Sequence, residues 1–466
     1  MSADKRAEKR LEERKSSVAS CRLPGIMTLC LLAVCLAAVP FLTAVIKSPD
    51  FSENENRMLA KPPVFSFSSL VSGRFFSELE DCMSDRIVFR DAAVRAHADL
   101  SLAACLFLET NGVIPTRDGR LIARRYVTEE RRSSLSRAAE SGLRLSELIG
   151  NDKTLFSVVA SPAEAEKESL NLLARAAFTR DFDPELPYGI EYIEGFPAES
   201  FYRTDHHWTT GGAFSAYTRL APLLGVEPYK TEDFHIETFC SDFRGTLVSR
   251  SGLYDFPADR VELFRYTEDR SFCVTDMQSG ERLELTGGFY DMTARSRKDK
   301  YSVFLGGNYG YIRIEGEGKD RPRLLLLKDS YANSLIPFLA RHFDIDAVDP
   351  RYFRGDIKDI AGTCDRALIL YSIDQLATDA YLERLLIDQP SATSSSIMAA
   401  KPATIPMVAK YGSASRFCGH SGISSCTATR IIAPAAKDRA RGKSIPMLTT
   451  ATAPMTPATG STMPEA

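Results

Sequence analysis

The sequence has few of the patterns that mark redox, zinc-binding or nucleic-acid-binding proteins. Its ten cysteines include no C-x-x-C pair and no zinc-finger spacing, which excludes a thioredoxin-type motif and a zinc finger. A net charge of -3 gives no basic excess of the kind that binds nucleic acid, so no nucleic-acid partner is expected. Histidine occurs only six times, so imidazole chemistry is restricted to a few places in the chain. Tryptophan occurs only once.

One long uncharged apolar stretch, Ile26–Ile46, lies near the N-terminus. It has the length of about 20 residues that crosses the hydrocarbon core of a bilayer. Residues 1–25 are polar and basic, which predicts a cytoplasmic N-terminus and an exported remainder. A cleaved signal peptide is the alternative, but its apolar region is usually only about 7–15 residues long. We therefore predict a single-pass signal anchor in the cell membrane, with most of the chain outside the cell.

The rest of the chain divides by composition into three parts. Residues 47–110 are a linker and a helical segment, and residues 111–389 form the folded domain. In residues 390–466 Ser, Thr, Ala, Pro and Met dominate without a hydrophobic period, so we expect a disordered tail that a frameshift has added. Most cysteines are interpreted as unpaired small hydrophobic residues. Outside the cell, a Cys82–Cys105 or a Cys240–Cys273 disulfide remains open.

Hydrophobic patterns predict the regular elements of the domain. Residues 65–108 read as helix with one break, and further helices are predicted at Glu129–Ile149, after Thr209 or Thr210, and at Leu376–Ile387. Strands are predicted at Thr154–Ala160, Lys300–Leu305, Leu324–Leu327, Ile345–Val348 and Ala367–Tyr371. Strands that alternate with helices indicate an α/β fold with a parallel sheet.

The stretch Thr204–Thr210 holds the only tryptophan, Trp208, and two of the six histidines. Asp205 and His207 are two residues apart, so in extended backbone their side chains point the same way. A carboxylate that fixes the tautomer of a histidine supplies two members of a hydrolytic triad. His206 also neighbours Asp205 and is the alternative base. A buried Asp-His pair that only stabilises a turn is an equally plausible interpretation of this stretch alone.

A serine follows the apolar strand Leu324–Leu327, in the turn Asp329-Ser330 before a predicted helix. This places Ser330 at the carboxyl end of a strand, where N–H groups of the following helix favour a developing oxyanion. Helix capping is the simpler role for a serine at such a junction. Together with a separate Asp-x-His turn, however, Ser330 completes the set of groups that nucleophilic catalysis requires.

Several motifs occur in the order that is typical of the DHHW family of Gram-positive bacteria, and the chain resembles that family over roughly residues 50–388. They are Ser52-Glu53-Asn54-Glu55-Asn56-Arg57, Tyr202-Arg203-Thr204-Asp205-His206-His207-Trp208, Asp242-Phe243-Arg244-Gly245-Thr246, Phe304-Leu305-Gly306-Gly307-Asn308, Lys328-Asp329-Ser330-Tyr331-Ala332-Asn333-Ser334, Asp349-Pro350-Arg351-Tyr352-Phe353 and Tyr371-Ser372-Ile373-Asp374. The family resembles, more distantly, the SGNH-like domains of alginate O-acetyltransferases. The resemblance implies an SGNH-hydrolase-like three-layer α/β fold with a parallel sheet, circularly permuted because the serine comes last.

By the same resemblance Asp205 orients, His207 is the base and Ser330 is the nucleophile. Asn308 and the Ser330 N–H are the candidate oxyanion donors, and Tyr331 belongs to the same substrate-binding group. Arg351 either binds an anionic glycan or an acyl carbonyl, or it forms a salt bridge with Asp349 or Asp374.

Three functions are consistent with these residues. The first is a membrane-anchored O-acetyltransferase or esterase that acts on a cell-envelope polysaccharide without cofactor or metal, served by a membrane-bound O-acyltransferase partner. The second is a non-catalytic SGNH-like module that binds a cell-surface glycan or acts as a scaffold. The third is a metallohydrolase using Asp205, His206 and His207, which we disfavour because adjacent histidines diverge in extended chain.

Overall fold

The structure, a computed structural model, describes residues 27–387 except 31–32, 35–36, 44, 105–108, 125–127, 167–168, 171–185, 269–270 and 379. The described part of the chain has a mixed α/β fold around an eight-stranded sheet with the strand order β10-β9-β11-β13-β12-β14-β5-β6. These strands are β5 (Thr154–Val159), β6 (Glu191–Ile193), β9 (Phe272–Asp276), β10 (Glu281–Arg282), β11 (Tyr311–Gly316), β12 (Arg323–Lys328), β13 (Asp344–Val348) and β14 (Arg366–Ser372). Five neighbouring strands, from β13 to β6, are parallel, whereas β10, β9 and β11 pair antiparallel.

Two-stranded sheets and helices surround this sheet. The small sheets pair β1 (Phe51–Ser52) with β2 (Arg57–Met58), β3 (Val113–Pro115) with β4 (Leu121–Ala123), and β7 (Phe234–Phe243) with β8 (Asp259–Tyr266). Downstream of residue 46, the α-helices of the described residues are α1 (Phe67–Val71), α2 (Arg74–Arg86), α3 (Arg90–Ala104), α4 (Glu129–Ile149), α5 (Pro162–Ala165), α6 (Thr210–Leu223), α7 (Thr246–Ser251), α8 (Ile336–Leu339), α9 (Ile357–Ala361), α10 (Ile373–Leu376) and α11 (Tyr381–Leu386). Short 3₁₀ helices occur at Ala198–Ser200, Thr231–Asp233, Met292–Ser296, Lys300–Val303 and Ser330–Ser334.

The sheet is buried on both faces, and strand β12 shows how. Leu324 and Leu326 face a core that includes residues of α6 and of the β7–β8 pair, whereas Leu325 and Leu327 face a second core with residues of α4 and α9. Because successive side chains of a strand alternate between faces, a strand in the middle of such a sheet must be apolar throughout. The sheet therefore has a layer on each side, and the carboxyl ends of its parallel strands meet at one edge.

Several predicted elements differ from the observed ones. Residues 65–108 contain two breaks within the described part instead of one, at Ser72-Gly73 and at residues 87–89. The predicted strand Lys300–Leu305 is wrong, because Lys300–Val303 forms a 3₁₀ helix. The predicted helix Leu376–Ile387 is divided into α10 and α11. The sheet is only partly parallel, since its β10-β9-β11 side is antiparallel.

Three further predictions concern the ends of the chain and the cysteines. Within the part that the structure describes, no helix combines the length and apolar content that crossing a bilayer requires. The span Ile26–Ile46 lies partly outside that part and stays a prediction, and the tail 390–466 lies wholly outside it. Cys240 and Cys273 are free thiols, so the Cys240–Cys273 disulfide is not formed. Cys82 is likewise a buried free thiol, and Cys105 is not described.

Candidate active site

The turn that carries the two histidines is held in place by the buried carboxylate of Asp259. Thr204 donates from its N–H and from Oγ1 to Asp259 Oδ2, at 2.8 and 2.5 Å, and the Arg203 N–H donates to Asp259 Oδ1. Phe201 and Trp208 form a β-bridge across the turn, so residues 202–207 form a bent loop between two paired positions. The extended backbone assumed from the sequence is therefore wrong for this segment.

Asp205 is 2% exposed, and both of its carboxylate oxygens are used. Oδ1 accepts hydrogen bonds from the N–H of His207 at 3.1 Å and from its Nδ1 at 2.6 Å. Oδ2 accepts from the N–H and the hydroxyl of Thr246, at 2.7 and 2.9 Å. Burial acts to raise the pKa of Asp205, but the imidazoles of His206 and His207 and these hydrogen bonds hold it well below its usual range. Asp205 is therefore a carboxylate at neutral pH.

His207 connects Asp205 to Ser330. Its Nδ1 lies 2.6 Å from Asp205 Oδ1, and its Nε2 lies 2.7 Å from Ser330 Oγ. Since a carboxylate can only accept, Nδ1 carries the proton, and Nε2 is left to accept the hydroxyl proton of Ser330. The ring is stacked on Tyr301, with centroids 3.9 Å apart and an angle of 11° between the planes, which fixes its orientation. The structure thus brings together the three residues that the sequence assigned to a triad, and their catalytic roles stay a prediction.

His206, the alternative base, occupies a different position. Its Nδ1 lies 2.8 Å from Thr246 Oγ1, and its ring lies against that of His207, with centroids 3.9 Å apart. The two rings do not diverge as expected, because the backbone bends at this turn. Burial and the neighbouring His207 lower the pKa of His206 to about 4. In this geometry His206 is a neutral neighbour of His207. Its Nδ1 is hydrogen-bonded to Thr246, whereas the ring of His207 contacts Ser330.

Ser330 lies where β12 ends, at the edge formed by the carboxyl ends of the parallel strands. Asp329 is the N-cap of the 3₁₀ helix Ser330–Ser334, because its Oδ1 accepts from the Tyr331 N–H at 2.9 Å. The other carboxylate oxygen of Asp329 accepts from the N–H and the hydroxyl of Ser372, at 2.8 and 2.9 Å. The capping role considered for Ser330 therefore belongs to Asp329, which leaves the Ser330 hydroxyl for His207.

Three aromatic side chains join the histidine turn to the serine turn. Trp208 Nε1 donates to the Tyr331 carbonyl and to Ser334 Oγ, both at 2.9 Å. The Tyr301 hydroxyl donates to the Ser330 carbonyl at 3.1 Å. The Tyr331 hydroxyl donates to the His206 carbonyl. Tyr331, predicted to contact substrate, is 2% exposed and holds the two turns together; its contact with substrate stays a prediction.

Asn308, the predicted oxyanion donor, belongs to a chain of amide hydrogen bonds. Lys328 Nζ donates to Asn333 Oδ1 at 2.7 Å, and Asn333 Nδ2 donates to Asn308 Oδ1 at 3.0 Å. An ammonium group can only donate, so it fixes which way each amide points. The Asn308 Nδ2 group is consequently the end of that side chain that can donate to another group. Lys328 is itself buried, and burial lowers its pKa to about 8.

Arg351 forms the salt bridge that the sequence left open. Its Nε and Nη2 groups donate to the two oxygens of Asp349, at 2.8 and 2.6 Å, and Asp349 is fully buried. A bidentate pair of this kind uses one edge of the guanidinium group, so the partner is Asp349 and not Asp374. The role of Arg351 in binding a glycan or an acyl carbonyl stays a prediction.

Asp205, His206 and His207 also offer a set of possible metal ligands. Their ligand atoms lie within 4.8 Å of one another. Those atoms are already engaged, since Asp205 Oδ1 is bonded to His207 Nδ1, and His206 Nδ1 to Thr246 Oγ1. A metal ion would have to replace these hydrogen bonds, so the arrangement fits a proton relay better than a metal centre.

Sequence reasoning missed three residues that shape this site. Thr246 binds both Asp205 and His206, Gly245 lies against the Asp205 carboxylate, and Tyr301 stacks on His207. The only available signal was the motif that ends in Gly245-Thr246, whose role the sequence did not reveal. No local pattern pointed to Tyr301, because its neighbours were predicted to form a strand.

The comparison with protein-family models falls on the same region. Residues 188–348 match the family model described as DHHW protein, and no curated protein matches the chain. A solved DHHW family protein from Eubacterium siraeum shares 20% sequence identity, covers 60% of this chain and 98% of its own, and has a TM-score of 0.48. PatB1 from Bacillus cereus shares 19% identity, with 58% and 98% coverage and a TM-score of 0.47. The O-acetyltransferase domain of Pseudomonas putida AlgJ shares 14% identity, with 57% and 93% coverage and a TM-score of 0.33. The resemblance predicted from the motifs is thus confirmed: over residues 188–348, which contain both turns of the site, the chain matches the DHHW family.

Proposed function

We propose that this protein is a membrane-anchored, extracytoplasmic O-acyltransferase or esterase that acts on a cell-envelope polysaccharide. The observation that carries the proposal is the continuous hydrogen-bond relay from Asp205 through His207 to Ser330, with contacts of 2.6 and 2.7 Å. These distances lie in the range required for a base to take the proton of a nucleophile. The chemistry proposed for this relay is acyl transfer.

In the acylation step, Ser330 Oγ attacks the carbonyl carbon of an acyl donor while His207 Nε2 takes the hydroxyl proton. Asp205 stays ionised and stabilises the imidazolium that forms. The oxyanion accepts hydrogen bonds from the Ser330 N–H and from Asn308 Nδ2; the Tyr331 N–H is already bound by Asp329. Collapse of the intermediate breaks the bond to the leaving group, which receives the proton from His207. An acyl-Ser330 ester remains.

In the second step, the oxygen of a sugar hydroxyl or of water attacks the acyl-Ser330 carbonyl carbon, and His207 takes the proton of that hydroxyl or water. The proton then returns to Ser330 Oγ as the ester is cleaved. The sequence resemblance to alginate O-acetyltransferases supports acetyl as the acyl group and a cell-surface glycan as the acceptor. It also supports a membrane-bound O-acyltransferase partner and a circularly permuted SGNH-like topology. The predicted anchor at residues 26–46 would hold this chemistry outside the cell.

The test uses the full-length protein in detergent or vesicles, with an activated acetyl ester and a sulfonyl fluoride as probes. Ser330→Ala and His207→Ala are expected to abolish ester turnover, and only chains with Ser330 should gain the mass of the sulfonyl group. Asp205→Asn should lower kcat by about 10⁴-fold, because the tautomer of His207 is no longer fixed. A double variant of Ser330 and Asp205 should be scarcely worse than Ser330→Ala, since the three groups act as a unit.

His206→Ala is the matched control, because it removes a neighbouring imidazole and leaves the relay intact. A loss of turnover in His206→Ala but not in His207→Ala would show that the base is misassigned. Absence of turnover and of any adduct at Ser330, with the membrane partner present, would refute catalysis. In that case the protein is better described as the non-catalytic glycan-binding or scaffold module, and glycan binding by Ser330→Ala should equal that of the wild type.

A further inference from the structure

The corner between α2 and α3, formed by Ile87, Val88 and Phe89, exposes apolar side chains in an unusual backbone conformation. Phe89 is 67% exposed and Ile87 is 42% exposed. The φ angle of Phe89 is 62°, in the left-handed region that bulky side chains rarely adopt. Neither exposure nor this conformation is favourable for a phenylalanine in water. The corner therefore has the properties of a contact site.

The corner is attached directly to the end of the predicted membrane span. The Val88 N–H donates to Thr43 Oγ1 at 3.1 Å. One residue before the corner, Arg86 donates to Ser48 Oγ at 3.0 Å and to Asp50 Oδ1 at 2.9 Å. The corner thus lies at the level where the apolar segment of residues 26–46 ends and the polar chain begins.

The end of that segment is itself exposed and apolar. Phe41 is 66% exposed and Val45 is 65% exposed, two residues on either side of Thr43. Phe41, Val45, Ile87 and Phe89 are therefore exposed apolar side chains next to one hydrogen bond. An anchor requires that Phe41 and Val45 face lipid. The same bilayer is then the nearest apolar phase that the side chains of Ile87 and Phe89 can contact.

Charge on this side of the corner agrees with a lipid headgroup region. The pKa of Asp50 is lowered first by its hydrogen bond with Arg86 and further by the charges of Lys61 and Lys47. Arg86, Lys47 and Lys61 are thus the cations that act on Asp50 beside the corner, and cations of this kind are attracted to anionic lipid headgroups. The exposed apolar residues Phe76 and Met83 of α2 are not counted as part of the membrane-contacting surface, because the charged residue Glu80 lies between them.

We propose that the Ile87–Phe89 corner is a second membrane contact. Its side chains enter the interfacial region of the bilayer in which residues 26–46 anchor the protein. This inference rests on the membrane anchoring within the proposed function. A second contact beside the anchor would restrict rotation of the domain about a single span. It would hold the domain close to the membrane surface, where a membrane-bound acyl donor is delivered.

The experiment uses tryptophan fluorescence of the full-length chain in vesicles of phosphatidylcholine and phosphatidylglycerol with brominated acyl chains. The single native tryptophan, Trp208, is fully buried and gives a constant background. Phe89→Trp is the probe. Leu223→Trp is the matched control, because Leu223 is 53% exposed and lies in α6, within the α/β domain. Flotation of the vesicles reports separately whether the chain is anchored.

We expect the added emission of Phe89→Trp to shift to shorter wavelength and to be quenched at least twofold by brominated lipid, with no change for Leu223→Trp. Equal quenching of both variants in chains that float would overturn the second contact and leave the anchor intact. Chains that do not float would overturn both. A blue shift that depends on protein concentration and is insensitive to brominated lipid would also overturn the proposal, in favour of a contact between two copies.

Discussion

Gly245 offers a sharp test of how Asp205 is held, because the space for its side chain is occupied by the carboxylate. A Cβ at position 245 would lie 2.3 Å from Asp205 Oδ2 and 2.7 Å from its Cγ. Ordinary contacts of a Cβ begin at 3.4 Å, so in Gly245→Ala either the carboxylate or the backbone must move by about 1 Å. Such a movement breaks the hydrogen bonds of 2.7 and 2.9 Å from Thr246.

The expected effect on catalysis follows from that displacement. A misplacement of about 1 Å in a catalytic constellation costs about 10²-fold in rate, and complete loss of the orienting carboxylate costs about 10⁴-fold. We expect kcat of Gly245→Ala for an activated acetyl ester to fall between these limits, with little change in KM. Overpacking of a buried site costs about 1–3 kcal/mol, so the melting temperature should fall by several degrees.

Gly211→Ala is the control, since Gly211 lies four residues after His207 and in the first turn of α6. Its Cβ would meet only Thr209 Oγ1, at 3.8 Å. Alanine is more favourable than glycine inside a helix by about 0.5–1 kcal/mol, so the variant should keep full activity and melt at an equal or higher temperature. Combined with Asp205→Ala, Gly245→Ala should cause little further loss of activity. Wild-type kcat in Gly245→Ala would refute the reasoning.

Four further outcomes are expected. Burial raises the pKa of Asp299 to about 6, so this carboxyl group stabilises the fold below about pH 4 and loses that contribution as pH rises through 6; Asp299→Asn should therefore melt higher than the wild type at pH 7 but not at pH 4. Trp208→Phe leaves the Tyr331 carbonyl and the Ser334 hydroxyl without their indole donor, and the free energy of unfolding in denaturant should fall by about 1–3 kcal/mol. Asn308→Ala should lower kcat by about 10²-fold and leave KM nearly unchanged, as removal of one oxyanion donor does. Dialysis against EDTA should leave ester turnover unchanged, whereas a loss restored by Zn²⁺ would favour the metallohydrolase.

Much of the fold was predictable because local patterns determined it. The helix Glu129–Ile149 is found with the predicted bounds, and β12 contains the predicted strand Leu324–Leu327. Both have long, consistent hydrophobic patterns. Lys300–Leu305 was predicted wrongly because a short apolar run is compatible with several conformations, and packing around Tyr301 selected the 3₁₀ helix. The long β7–β8 pair escaped prediction because two bulges interrupt its alternation.

The sequence by itself determined the residue types of the site and the turns that carry them. Asp205 with His207, and Ser330 at the end of a strand, are local patterns whose chemistry can be read without coordinates. Only the tertiary structure decided that His207 faces Ser330 across 123 residues of chain and that His206 instead meets Thr246. The reason is physical: these contacts depend on hydrogen bonds and ring packing between distant segments, and local hydrophobic periodicity carries no information about which distant segments meet.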